Sequence, residues 1–217
     1  MIIEEVTLFT NIIQKQKQFY ESVLGFEIVE DSKDRISFKT GESHLVFEYK
    51  KETNPAHIAF NIPVKTIHTA LKWLKERIKV LSYEGEEITN FHAWNARAIY
   101  FYDVDHNILE FIARERLGIA SEAAFTPDTI ISISEMAIAT DNIASIYSQI
   151  NRIKPIPIFD GSFDRFCALG NDEGLFIVID KNKKKWYPTM AAVLTSDFII
   201  KGDYNFSFTN GEIKELS

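Results

Sequence analysis

The stretch Ser43-His-Leu-Val-Phe-Glu-Tyr49 is followed by Lys50-Lys-Glu-Thr-Asn-Pro55 and Ala56-His-Ile-Ala-Phe-Asn-Ile62, and the rest of the chain is organised around it. It reads as two strands joined by a short polar turn. Alternation sends Leu45, Phe47 and Tyr49 to one side of the first strand and His44, Val46 and Glu48 to the other. In the second strand Ala56, Ile58, Phe60 and Ile62 oppose His57, Ala59 and Asn61. The more apolar sides require a helix layer against them. The opposite sides carry a carboxylate and an imidazole and are left to line a site.

Towards the N-terminus, residues 2–11 alternate as a strand, with Val6 and Leu8 on one side and Glu5, Thr7 and Phe9 on the other. Ile12 to Leu24 has a helical stripe of Ile12, Ile13, Phe19, Tyr20, Val23 and Leu24, stopped by Gly25 as a left-handed cap. Strands near 26–31, 35–40 and 44–49 complete a βαβββ unit. A second unit starts at Ala56. Its helix runs from Pro63 to about Ile78, with Ile67, Ala70, Leu71, Leu74 and Ile78 inward, and strands follow near 80–84, 97–102 and 108–113.

After a linker at 115–129 the first pattern returns. Glu5, Thr10, Asp34, Arg35 and Leu45 recur at one offset as Glu135, Thr140, Asp164, Arg165 and Leu175, which indicates an internal duplication. The third helix spans 142–153. Beyond Pro188 only three strand-like runs remain, near 190–195, 197–201 and 204–208, a stripped-down fourth unit. The expected organisation is α+β, repeated βαβββ units forming curved mixed sheets. An N-terminal domain 1–114 holds units 1–52 and 53–114. A C-terminal domain 130–217 holds the repeat 130–190 and a degenerate unit 191–217.

The chain has 217 residues, 46% hydrophobic and 25% charged, with a formal net charge of -7. That balance argues against a broad basic surface for nucleic acid. No apolar run approaches the roughly 18 residues of a membrane span, and Met-Ile-Ile-Glu-Glu-Val has no leader character. The single cysteine, Cys167, excludes an internal disulfide, fits a reducing cytoplasm and reads as a small buried hydrophobe. Lys183-Lys184-Lys185 reads as a solvated turn. A small molecule is the expected partner.

Three passages carry a family resemblance: Glu5-Val-Thr-Leu8 with Phe19-Tyr20 ahead of Leu24-Gly25-Phe26; Ala56-His-Ile-Ala-Phe60; and Tyr100-Phe-Tyr-Asp-Val-Asp-His-Asn-Ile-Leu-Glu-Phe111. Together they resemble the vicinal oxygen chelate superfamily of glyoxalase I, extradiol dioxygenases and the fosfomycin- and bleomycin-resistance proteins. His106 stands where that family's turn usually has Gly. The resemblance implies a metal in a concave sheet, held here by Glu5, His57, Glu110 and, as in glyoxalase I, Glu48. It also implies that Glu110 or Glu48 acts as a base.

Strand one of the family offers His or Gln, and this chain offers Glu5. Three carboxylates at about 4 Å and an effective dielectric near 20 repel by roughly 4 kcal/mol per pair, which a divalent cation relieves. Three oxygens and one imidazole suit Mn²⁺, Mg²⁺, Ni²⁺ or Fe²⁺. The set departs from the two-His, one-carboxylate triad of iron dioxygenases, so a lyase or isomerase is favoured over a dioxygenase.

Each residue also has a plainer reading. Glu5 and Glu48 suit solvated strand ends, and His57 and Glu110 suit satisfied core groups. His44 shares the Glu48 face. His92 and Trp94 precede a strand and could lid the cavity, while Phe9, Trp94 and Phe101 are its aromatic candidates for contacting substrate. A metal-free binder of bleomycin-resistance type, taking a cationic planar ligand, is the main alternative. A dioxygenase-like oxidoreductase and an interaction domain with a vestigial cavity are the others. The two N-terminal units could pair within one chain or across a homodimer.

Overall fold

The computed structural model describes residues 1–216. Unit 1 consists of β1 (Ile3–Thr10), α1 (Ile13–Gln18, continued by a π turn Phe19–Val23), β2 (Ile28–Asp31), β3 (Arg35–Thr40) and β4 (Ser43–Tyr49). Unit 2 consists of β5 (His57–Asn61), α2 (Ile67–Lys75), β6 (Val80–Leu81), β7 (Thr89–Phe91), β8 (Ala96–Tyr102) and β9 (Ile108–Arg114). Unit 3 comprises β10 (Ser132–Thr140), α3 (Ile143–Ile153), β11 (Ile158–Ser162), β12 (Phe166–Asn171) and β13 (Gly174–Asp180). The fourth unit has strands alone: β14 (Phe198–Gly202), β15 (Phe206–Thr209) and β16 (Glu212–Glu215). The expected strand at 190–195 is absent, and its place is taken by a turn with a single bridge between Trp186 and Ala191. Among the described residues no helix is long and apolar enough to cross a membrane.

Local chemistry repeats with the units. Gly25 adopts φ +66° at the end of the first helix, the conformation a β-carbon disfavours. The Thr10 hydroxyl accepts the Ile12 N–H at 3.0 Å, and Thr140 does the same for Asn142 at 3.0 Å. The Lys50 N–H donates to the Thr10 carbonyl, and the Lys181 N–H donates to that of Thr140.

That last pair exposes a slip of one residue. Phe9 is opposite Glu48 in β1–β4, whereas Ala139 is opposite Ile179 in β10–β13. Leu45 therefore corresponds to Phe176, both in the main core, and not to Leu175, which faces the other side of its sheet. Arg35 likewise corresponds to Phe166, since they pair with Glu48 and Ile179 respectively. The identities at Asp34, Arg35 and Leu45 are out of structural register. The duplication stands on the element order and the Thr10–Thr140 strands.

The sheets do not follow the two halves of the chain. One has seven strands in the order β16-β15-β14-β1-β4-β3-β2, joining unit 1 to the C-terminal strands. The other has nine, in the order β11-β12-β13-β10-β5-β9-β8-β6 with β7 on β8, joining unit 3 to unit 2. β1 runs antiparallel to β14, and β5 antiparallel to β10. The expected concave surface between units 1 and 2 is thus replaced by two separate ones. His57 and Glu110 lie on one sheet, Glu5 and Glu48 on the other.

The apolar faces of both sheets and all three helices share one core, containing Tyr20, Phe38, Phe60, Phe111, Ile146 and Phe198. Where the sheets meet, Ser43 donates to the Ile3 carbonyl at 2.5 Å and accepts the Ile133 N–H at 3.0 Å. Gly41, at φ +66°, sits so close that a β-carbon would strike the Ile131 carbonyl. The same is true of Gly174 against the Met1 carbonyl.

Candidate metal centre

Three adjacent strands converge on one buried point. His57 begins β5, Glu110 is central in β9, and Glu135 lies on β10; Ala59 of β5 is the cross-strand neighbour of both glutamates. Alternation turns these side chains away from Ile58, Leu109 and Met136, which belong to the core. Ala59 is fully buried between the two acids and keeps the floor shallow. His57, Glu110 and Glu135 are 6%, 2% and 3% exposed, so water does not satisfy them.

The imidazole is oriented from behind. His57 Nδ1 lies 3.2 Å from the Ile108 carbonyl and donates to it, which leaves Nε2 facing inward. Nε2 is 3.3 Å from Glu110 Oε2 and 3.8 Å from Glu135 Oε2. One ligand atom from each of the three residues lies within 4.8 Å of the others. The second oxygen of Glu135 is held by the buried guanidinium of Arg114, at the end of β9. Arg114 is 1% exposed, its Nε and Nη1 have no hydrogen-bond partner among the described residues, and its guanidinium lies 5.5 Å from the Trp94 ring centroid.

Burial opposes charge on His57, yet the hydrogen bonds and charges of Glu110 and Glu135 outweigh it and raise the imidazole to about 9. Burial and the nearby Glu135 charge push the Glu110 carboxyl up, with His57 and Arg114 pulling the other way. Tyr100, directly across from Glu110 on β8, has its hydroxyl pushed well up by burial and then by the two acids. Two crowded carboxylates thus draw a positive charge, either a proton on His57 or a metal ion. The donor set suits an ion: two carboxylate oxygens and a pre-oriented imidazole nitrogen, clustered on one side.

Above them opens a cleft of about 850 Å³. Its walls include Trp94, Tyr100, Phe166, Trp186 and Tyr187, with the Trp186 ring 5.6 Å from that of His57. His92 and Trp94, in a short 3₁₀ turn, also border it.

The other expected residues lie elsewhere. Glu5 and Glu48 converge on Arg35: Glu5 is 3.7 Å from it and 2.7 Å from Lys201, and Glu48 pairs with its Nη1. A guanidinium is the counter-charge of these acids, and they lie on a different sheet from His57. His44 is exposed on the same sheet, opposite Glu5 and Lys39. Phe101 is fully buried in the core, 5.0 Å from Phe111, because β8 turns Tyr100 and not Phe101 towards Glu110. Phe9 lies under Lys50, 5.2 Å away, in a separate polar cleft of about 700 Å³.

Glu135 is the residue the sequence reading assigned to no role. The duplication contains the signal, since Glu135 is the repeat of Glu5, and unit 3 rather than unit 1 faces unit 2.

Known proteins resemble this chain in sequence and in fold. A family model described as Glyoxalase/Bleomycin resistance protein/Dioxygenase superfamily matches residues 2–111. The metallothiol transferase FosB of Staphylococcus haemolyticus is 28% identical over 116 residues, 50% of this chain and 80% of that protein. A putative dioxygenase from Bacillus subtilis superposes with a TM-score of 0.61 at 15% identity, over 82% of this chain, a likeness of fold alone. The chain spans 63% of that structure's length. A lactoylglutathione lyase from Agrobacterium tumefaciens aligns over 54% of this chain and 96% of its own, at 17% identity and a TM-score of 0.46. With more than half of its length matched by the family model, the chain belongs to the glyoxalase/bleomycin resistance protein/dioxygenase superfamily.

Proposed function

We propose that the chain is a divalent-metal-dependent enzyme acting on a small oxygenated substrate, of lyase or isomerase type. His57, Glu110 and Glu135 hold the ion. The observation that carries this reading is the inward Nε2 of His57, fixed by the Ile108 carbonyl beside two buried carboxylates. A bound ion supplies Lewis-acid polarisation of a substrate oxygen. Arg114 fixes Glu135 and leaves one of its oxygens for the site. Glu110, held by His57 and not by a guanidinium, is raised by burial, which fits it to take a proton from substrate carbon. Trp94, Trp186 and Tyr187 give that face apolar walls.

The name of the Staphylococcus relative, a metallothiol transferase, supports metal dependence and makes group transfer a neighbouring chemistry. The one-His, two-carboxylate set favours these over the two-His iron oxygenases.

A second reading, a metal-free small-molecule binder, is supported by charge balance: Arg114 and a protonated His57 would neutralise Glu110 and Glu135 without an ion. Elemental analysis of protein purified without chelator, with calorimetric titration of Mn²⁺, Ni²⁺ and Mg²⁺, separates the two. The enzyme reading expects one ion per chain, lost in His57→Ala and Glu110→Gln. Absence of stoichiometric metal in every preparation, with no titratable site, would overturn it in favour of the binder.

A further inference from the structure

The mouth of the metal cleft carries a charge pattern that ion binding does not use. The chain is acidic, with 31 Asp and Glu against 24 Lys and Arg, yet Arg165, Lys183, Lys184 and Lys185 all border this one cleft. Lys183 is engaged, 2.9 Å from Asp164 and 3.6 Å from Asp180. Arg165, Lys184 and Lys185 form no ion pair among the described residues.

Lys184 is the informative one. It is not a solvated turn residue: its Nζ lies 4.1 Å from the Phe166 ring centroid, and it is half-buried. Burial and the charge of Arg165 both work against its positive charge. A lysine held in apolar surroundings beside a like charge lacks its counter-ion.

The acids of the cleft are already engaged. Glu135 is on Arg114, Glu110 is on His57, and Asp160 accepts the Trp94 Nε1–H at 2.6 Å. Beneath the cations the walls are flat: the Trp94 and Phe166 rings stack at 6.2 Å and 27°.

We infer that the cleft takes an organic anion, its flat apolar body against the aromatic walls and its negative group at Arg165 and Lys184. This is the opposite sign from the cationic planar ligand expected from the acidic composition. It names the substrate class of the site proposed above and rests on that reading only for the ligand end at His57. The selection of charge rests on the rim.

The test uses the full chain and three isosteric probes, 2-naphthoate, 2-naphthamide and the 2-naphthamidinium cation, titrated by calorimetry with and without chelator. Naphthoate should bind about tenfold more tightly than the amide, the size of one charge-assisted contact, and lose that advantage at high salt. The double variant Lys184→Gln/Arg165→Gln, altered only at an exposed and a half-exposed side chain, should reduce naphthoate to the level of the amide and leave the amide unchanged.

Equal binding of all three probes, preference for the amidinium, or no binding of any at millimolar concentration overturns the inference. So does a preference that survives in the double variant. A preference abolished by chelator assigns selection to the ion; it sinks the rim and leaves the metal reading standing. Conversely, a persistent preference in a protein that binds no metal keeps the rim and removes the metal reading.

Discussion

Arg114 and Glu135 form the pair whose removal should be felt most. Arg114 is 1% exposed and, among the described residues, pairs with Glu135, while its Nε and Nη1 have no hydrogen-bond partner there. Glu135→Leu preserves volume but strands a guanidinium among Trp94 and the strands. Removing one member of a buried pair costs about 3–5 kcal/mol, mostly from the charge left behind. For a chain of this length that lowers Tm by roughly 10 °C.

Arg114→Met should cost less, because Glu135 keeps His57 at 3.8 Å. The double variant Glu135→Leu/Arg114→Met removes both charges and should recover most of the loss, giving a coupling energy of about 3 kcal/mol. Urea unfolding in chelator, so that ion binding adds nothing to stability, measures all four corners of the cycle. Metal titration of the same proteins should show no recovery in the double variant. A loss below about 1 kcal/mol for Glu135→Leu, or a double variant as unstable as that single one, would mean that the stranded guanidinium is not what destabilises the chain.

Glu5→Gln and Glu48→Gln should leave metal affinity within about twofold of wild type, because Arg35 and not His57 is their partner; a large loss by calorimetry would restore them to the site. His57 reaches about 9 without metal, so an ion must displace its proton at any lower pH. Affinity should therefore rise about tenfold per pH unit towards 9, with close to one proton released, measured by calorimetry in buffers of different ionisation enthalpy.

Burial pushes the Asp103 carboxyl from 3.8 up to about 6, against hydrogen bonds from Asn107 and Gln16 that lower it. Its folded value lies above its unfolded one, so the cost of the charged form is present above about pH 6 and fades as pH falls towards 4. From pH 7 to 4.5 the wild type should gain about 2 kcal/mol relative to Asp103→Asn in urea unfolding. Gly41→Ala, at φ +66° against the Ile131 carbonyl, should cost more than about 2 kcal/mol by the same assay, with a near-neutral result refuting the close approach.

Much of this was legible from alternation. The helical stripes, the Gly25 cap and the faces of β1, β4, β5 and β9 follow from side-chain period alone, and His57 and Glu110 stood out as charged groups flanked by large apolar ones. Phe101 was a parity error that the sequence could have corrected. Once Glu110 faces the cavity, its neighbour Tyr100 must face it too, and Phe101 must turn to the core.

The choice of sheet partner was not legible. β1 and β5 have similar local patterns, and what separates them is whether β14 or β10 lies alongside, a contact between distant segments that leaves no periodic trace. The same exchange moved the third acid from Glu5 to Glu135. Lys184 misled for a different reason: three consecutive lysines look uniformly solvated, and only the Phe166 ring distinguishes the middle one.

The pairing of β1 with β14 sets a timetable for synthesis. A ribosome that has released residues 3–10 must go on to translate Phe198–Gly202 before the first strand finds its antiparallel neighbour. Contacts closing so wide a loop carry a large entropic toll and slow the search for the native state. The nascent N-terminal half is therefore left with an open hydrogen-bonding edge for most of its emergence, which is where a chaperone would have its clearest opportunity.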